Sequence, residues 1–235
     1  MCVVAHPDDE CFGFGGALAL AAQQGWQTNV ICLTDGQAAT NRGVSLDGQD
    51  LGRMRREELA ASCAVLNVTE HELLDYHDGL LEFADLNEAG RKLVQRMRTW
   101  KPEVVLTFGL DGGLNVHADH AFVSAATSVA FRWSARRKRY PELELEPWAP
   151  KRLYHLSSDY ALEDREALSP TPWTVKLDIR AVKETKRDAF LAHTSQVPVY
   201  DKVKPYWEKY GDFEYYTLMG TSEPGEMPLT TTLFE

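Results

Sequence analysis

Short apolar runs that halt at polar or glycine turns, each followed by a helix-length segment, constrain this chain more than anything else in its sequence. Residues 1–5 (MCVVA) stop at His6-Pro7, and residues 29–34 (NVICLT) stop at Asp35-Gly36. Residues 73–76 end before Asp78-Gly79, and residues 103–108 lead into Asp111-Gly112-Gly113. Runs apolar on both faces are what strands inside a parallel sheet require. Between them, Gly15-Gly16 opens a stretch of helix formers that Gly25 closes as a C′ residue. Leu51, Met54, Leu59, Cys63 and Leu66 recur near helical spacing, and Asp85-Leu-Asn-Glu88 is a capping box ahead of another such stripe. A further helix is predicted from near His117 to Phe131. This alternation predicts an α/β fold with a mostly parallel sheet covered by helices on both faces. Right-handed crossovers then gather the loops that follow the strands on the C-terminal edge, where such folds bind ligands.

The remainder of the chain is less regular. Residues 134–139 are basic and residues 141–150 acidic with three prolines, which reads as an excursion from the core. The final third predicts strands at 152–156, 173–179 and 213–218 and a helix over 183–193. With 235 residues and no repeat or low-complexity segment, one domain over 1–235 is expected. The formal charge of −10, from 35 acidic and 25 basic residues, argues against nucleic acid or an anionic membrane surface as main partner. No run approaches the ~18 apolar residues of a membrane helix, and no basic segment precedes an apolar one at the start. The four cysteines form no CxxC pair and sit in apolar segments. Free core thiols in a cytoplasmic protein are expected.

Two clusters carry chemistry. His6-Pro7-Asp8-Asp9-Glu10 follows the first strand, and its three consecutive carboxylates repel one another unless a cation or basic groups offset them. Imidazole with carboxylate is a ligand set for a divalent metal. His117-Ala118-Asp119-His120 follows a later strand, and positions i and i+3 at a helix start face one pocket. Singly, each has a bland alternative: a solvated acidic loop, or a surface histidine pair. Jointly, both open on the same sheet edge and supply the two histidines and one carboxylate of a catalytic zinc site. Gly13-x-Gly15-Gly16 lacks the GxGxxG spacing of a dinucleotide turn and has carboxylates where phosphates would lie.

These motifs in this order, with Thr34-Asp35-Gly36, Arg55-x-x-Glu58-Leu59 and Lys186-Arg-Asp-Ala189 leading to His193-Thr-Ser-Gln196, resemble the LmbE/PIG-L de-N-acetylases over nearly the whole chain. Ala118 departs from the commoner proline. The resemblance implies a Rossmann-like three-layer sandwich and a homo-oligomer. It implies that His6, Asp9 and His120 bind Zn2+, with other divalent metals open to the same ligands. It makes Asp8 the general base, His117 the acid or oxyanion stabiliser, Asp119 the partner that orients His117, and Arg55 and Asp78 substrate contacts. A carboxylate at His117 favours its imidazolium form.

Each substrate residue has a structural alternative: Arg55 on an exposed helix face beside Arg53 and Arg56, Asp78 as a turn residue before Gly79. His193, Ser195 and Gln196 either line the pocket or cap a helix, while His71, His77 and His155 read as surface or structural. The function expected is removal of the N-acetyl group from an N-acetylglucosamine-containing small molecule. N-acetylglucosaminyl malate of bacillithiol biosynthesis is one such substrate, its carboxylates received by Arg53–Arg56, and another conjugate such as an antibiotic or chitobiose is the alternative. A non-catalytic metal- or sugar-binding protein and a two-metal phosphoesterase are more remote.

Overall fold

The computed structural model describes residues 1–45, 47–160, 171–225 and 229–234. The first strand, β1 (Cys2–Val4), is buried along its whole length, as a central strand must be. A four-residue helix, α1 (Asp9–Phe12), and then α2 (Gly15–Gln23) lead to β2 (Asn29–Thr34). The next units are α3 (Gly48–Val65), β3 (Glu70–Tyr76), α4 (Leu86–Trp100) and β4 (Val104–Thr107). Asp85 caps α4 through its side chain, accepting from the amides of Asn87 and Glu88, as its capping-box pattern predicts. The chain continues through α5 (Ala118–Ser134), β5 (Arg152–Ser157), β6 (Val175–Asp178) and α6 (Lys183–Leu191). It ends in α7 (Val197–Tyr210) and β7 (Phe213–Thr221).

The sheet order is β3-β2-β1-β4-β5-β7-β6, with parallel pairing from β3 through β5 and β7 antiparallel to both β5 and β6. The chain steps outward from β1 to β2 and β3, then returns to β4 on the other side of β1. Right-handed crossovers therefore put α2 and α3 on one face and α4 and α5 on the other. The packing agrees: α4 lies on α5, while α2 and α3 contact α6. The order reverses between β1 and β4, and the crevice at such a switch point is where an open α/β sheet binds its ligand. Both sequence clusters emerge there, one after each of these strands.

Three features depart from the expectation. The acidic run after β1 is a helical turn at Asp9–Phe12, too short for periodicity to show. Residues 197–210, with Pro198 and Pro205, form α7, for which the sequence predicts nothing; Pro198 occupies the first turn, where its missing N–H is harmless. β3 begins at Glu70, and only Leu74 of its seven residues is fully buried, as an edge strand allows. The four cysteines are buried and free, and no helix among the described residues is long and apolar enough to cross a membrane.

Candidate active site

β1 delivers His6 to the crevice, and α1 turns Asp9 back beside it: the His6 amide donates to Asp9 Oδ2 at 2.8 Å. His120 arrives from the first turn of α5. His6 Nδ1 lies 3.3 Å from Asp9 Oδ2, His120 Nε2 lies 3.3 Å from Asp9 Oδ1, and the two imidazole nitrogens are 3.3 Å apart. The three side chains offer one ligand atom each, all within 4.8 Å of one another. The opposite ring nitrogens are engaged as metal-ligating histidines require. His120 Nδ1 bonds the Gly112 carbonyl at 3.1 Å, and His6 Nε2 bonds Asp78 Oδ1 at 3.0 Å and Asp119 Oδ2 at 3.1 Å. Two imidazole nitrogens and a carboxylate are therefore gathered as a donor set that would suit one divalent cation. Burial works against charge on His6, but bonds to Asp119, Asp78 and Asp9 outweigh it and raise its pKa well above the ordinary value. Burial likewise opposes charge on Asp9, yet His120 and His6 hold its pKa well below the carboxylate range.

Asp8 stands beside this set in a backbone conformation that costs energy, with φ 109° and ψ −26°. Two buried side chains hold it there. Glu10 Oε2 accepts the Asp8 amide at 2.9 Å, and Arg55 Nη2 donates to Asp8 Oδ2 at 3.0 Å. Burial pushes the Asp8 pKa up to about 6, with Arg55 opposing. Arg55 is 3% exposed and also donates to the carbonyls of Pro7 and Gly36, so the exposed-face alternative fails for it. Gly36 (φ +66°) is needed here because a Cβ would sit 2.0 Å from Arg55 Nη1. Arg53 and Arg56 point elsewhere, to Asp50 and Asp35, and do not line the cavity.

The expected contact between the Asp119 carboxylate and His117 is not the one found. The Asp119 carboxylate does not orient His117. It bonds His6 Nε2 and accepts the amides of Gly79 at 2.7 Å and Leu81 at 3.1 Å. What reaches His117 is the Asp119 amide, donating to Nδ1 at 3.1 Å because His117 is the N-cap of α5. Burial, then the neighbouring His6 and His120, lower the His117 pKa, and Nδ1, accepting the Asp119 amide, carries no proton. With Nδ1 accepting, Nε2 carries the proton. Asp78 lines the cavity, but its Oδ1 is on His6 and its Oδ2 accepts the Ala38 amide at 3.0 Å.

Glu10 and His193 form a fully buried pair, His193 Nε2 to Glu10 Oε1 at 2.8 Å, with Ser62 Oγ on the same oxygen at 2.5 Å. Burial lowers the His193 pKa, but Glu10's charge and bond prevail and raise it. Cys11 completes a potential ligand group with this pair, yet burial raises its thiol well above the ordinary range, so it stays protonated. Glu58, one turn after Arg55, accepts Thr194 Oγ1, the Ser195 amide and Ser195 Oγ, each at 2.7 Å. Of the C-terminal motif, Gln196 lines the cavity; His193 and Ser195 lie behind it. Sequence spacing carried no sign of the Glu10–His193 contact across 183 positions.

The cavity over these residues has a volume of about 490 Å³. By sequence, the chain is 29% identical to the Salinispora arenicola 1D-myo-inositol 2-acetamido-2-deoxy-alpha-D-glucopyranoside deacetylase across 96% of this chain and 86% of that one. It is 32% identical over 133 residues to a Bacillus cereus protein described as "Probable N-acetyl-alpha-D-glucosaminyl L-malate deacetylase 2", covering 55% of this chain and 60% of that one. In structure, an N,N'-diacetylchitobiose deacetylase from Pyrococcus horikoshii superposes with a TM-score of 0.78 at 23% identity, over 93% of this chain and 82% of that one. Residues 1–131, which hold every candidate ligand and Asp8, match the PIG-L model described as GlcNAc-PI de-N-acetylase, and the chain is therefore a member of that family.

Proposed function

We propose that the chain hydrolyses the N-acetyl group of a glucosamine-containing small molecule, with a divalent cation, Zn2+ first, held by His6, Asp9 and His120. The observation that carries this is the gathering of two imidazoles and a carboxylate, in successive contacts of 3.3 Å, with the strained Asp8 beside it. The deacetylase relatives support the reaction class. A cation in this site supplies Lewis acidity toward an amide carbonyl and lowers the pKa of water near it. Asp8, fixed by Arg55 and Glu10, accepts the proton of the attacking water. Neutral His117 donates its Nε2–H to the oxygen on which negative charge develops. Asp8 then returns its proton to the leaving amine.

The test measures acetate release from a panel of N-acetylglucosaminides by metal-loaded wild type and Asp8→Asn. Cleavage that needs metal and falls about 10²–10⁴-fold in Asp8→Asn, with the bound metal unchanged, is the expected result. Metal bound without cleavage of any N-acetylated member refutes the reading. The support expected for malate as aglycone, the arginines from 53 to 56, is missing from the geometry: only Arg55 reaches the cavity, and it is engaged with Asp8.

A further inference from the structure

The cavity has two chemically different halves. The catalytic half comes from residues 6–120, inside the stretch that matches the family. The other is built largely from residues 156–215, outside that stretch, and its wall is aromatic. Phe12 joins them, one turn after Asp9 in α1. Its ring centroid lies 5.9 Å from that of Phe190 and 5.5 Å from that of Trp207, and Phe190 meets Trp207 edge-to-face at 5.5 Å. In α7, Val199, Val203, Trp207 and Tyr210 line the cavity at helical spacing, so one face of one helix supplies most of this wall. Tyr160 stacks flat on Tyr210, with centroids 4.4 Å apart and planes 5° from parallel.

The charges in the lining are already matched. Among the described residues, Arg55 and Lys186 are its only Lys or Arg side chains, set against Asp8, Asp9, Asp78 and Glu214. Lys186 is 8% exposed and donates to Glu214 Oε1 at 2.7 Å. A divalent cation brings this balance only to neutral, so an aglycone bearing carboxylate or phosphate finds no unengaged cation to receive it. A polyol or second sugar needs a hydrogen-bond partner for each hydroxyl it buries; Phe12, Val199 and Val203 offer none, and Ser157, Ser158 and Gln196 of the same lining already donate to the carbonyls of Thr171, Tyr160 and Asn41.

We propose that this half is an aglycone subsite and that the substrate class is an N-acetylglucosaminide with an aromatic aglycone, its ring seated against Phe12 and Trp207, which the buried Phe190 backs from the core. The inference rests on the deacetylase reading of the catalytic half. A planar ring extends the tilted and edge-to-face set that these side chains already form, the arrangement aromatic rings prefer.

The experiment compares kcat/KM for deacetylation of phenyl, octyl and methyl N-acetylglucosaminides, N,N'-diacetylchitobiose and N-acetylglucosaminyl malate by the metal-loaded enzyme. The phenyl glycoside is expected to exceed the methyl one by about tenfold or more, chiefly through KM, on the scale of one aromatic contact plus its buried area. Trp207→Leu and Val203→Asp, placed on a helix with no fully buried residue, are each expected to lower that phenyl-to-methyl ratio severalfold. Equal rates for phenyl and methyl, or a lead for the octyl, chitobiose or malate compound, overturn the proposal while leaving the deacetylase reading intact. If no compound is cleaved, that reading fails by itself. Calorimetric titration of the metal-loaded protein with the phenyl and methyl glycosides then decides the subsite: tighter phenyl binding that weakens in Trp207→Leu upholds it, and equal binding overturns it.

Discussion

Asp8 shows what one residue requires of its surroundings. A non-glycine residue at φ 109° persists only where neighbours over-determine it, and here those neighbours are Arg55 and Glu10. Arg55→Lys keeps the charge but loses the fork that spans Pro7, Asp8 and Gly36. The expected result is a kcat lower by about 10–100-fold with metal content unchanged, read by steady-state kinetics and metal analysis. Glu10→Ala removes the acceptor of the Asp8 amide and leaves His193 buried without its partner. Urea unfolding should show a loss of roughly 3–5 kcal/mol, the scale for breaking a buried pair from one side. The grouping of His6, Asp9 and His120 is legible from their types and their places after strands. The Glu10–His193 pair is not, because a glutamate at the end of an acidic run gives no sign that it is fully buried. The carboxylate of Asp119 was assigned to its neighbour His117, but helix capping spends the backbone amide on that ring and frees the carboxylate for His6.

At the scale of elements, the glycine pair after β1 shows how tertiary structure finishes what sequence begins. The N-terminus of α2 is occupied, not by a phosphate, but by Glu214 of β7, whose oxygens accept the amides of Gly16 at 2.8 Å and Ala17 at 2.9 Å. A Cβ on Gly16 would lie 2.4 Å from Ile179 Cγ2 and 2.8 Å from Glu214 Oε1. Gly16→Ala should therefore destabilise by about 1–3 kcal/mol, the overpacking range, measured by chemical unfolding. A loss below the error of that measurement would show that α2 shifts freely. The helices and parallel strands of the first 131 residues were readable because periodicity and strand-ending turns agree there. α7 was not, since two prolines argue against a helix and its apolar residues are only partly buried, at the margin of the core.

For the molecule as a whole, stability should depend on pH through a histidine far from the chemistry in role. His155, in β5, is 1% exposed, bonds Ser128 Oγ through Nε2 at 2.9 Å and leaves Nδ1 buried without a partner. Burial lowers its pKa from 6.5 to about 4. The unfolded chain thus binds a proton that the folded chain refuses. This contribution to stability is complete above pH 6.5 and is lost as pH falls toward 4, to a total of about 3 kcal/mol. Urea unfolding at several pH values should show a steeper acid-side decline for wild type than for His155→Gln. Parallel declines would mean that His155 does not titrate across that window.

The candidate site of this protein lies at a sheet edge whose residues hold one another through buried bonds, whereas much of the far wall of its cavity hangs on α7, which has no fully buried residue. Variation therefore falls unequally on the two. A change at Glu10, Arg55 or Gly16 alters the fold and the reaction together, but a change along α7 alters mainly what is admitted. On the proposed reading, specificity can be redrawn at the four α7 positions that line the cavity, Val199, Val203, Trp207 and Tyr210, while the sheet edge is left untouched.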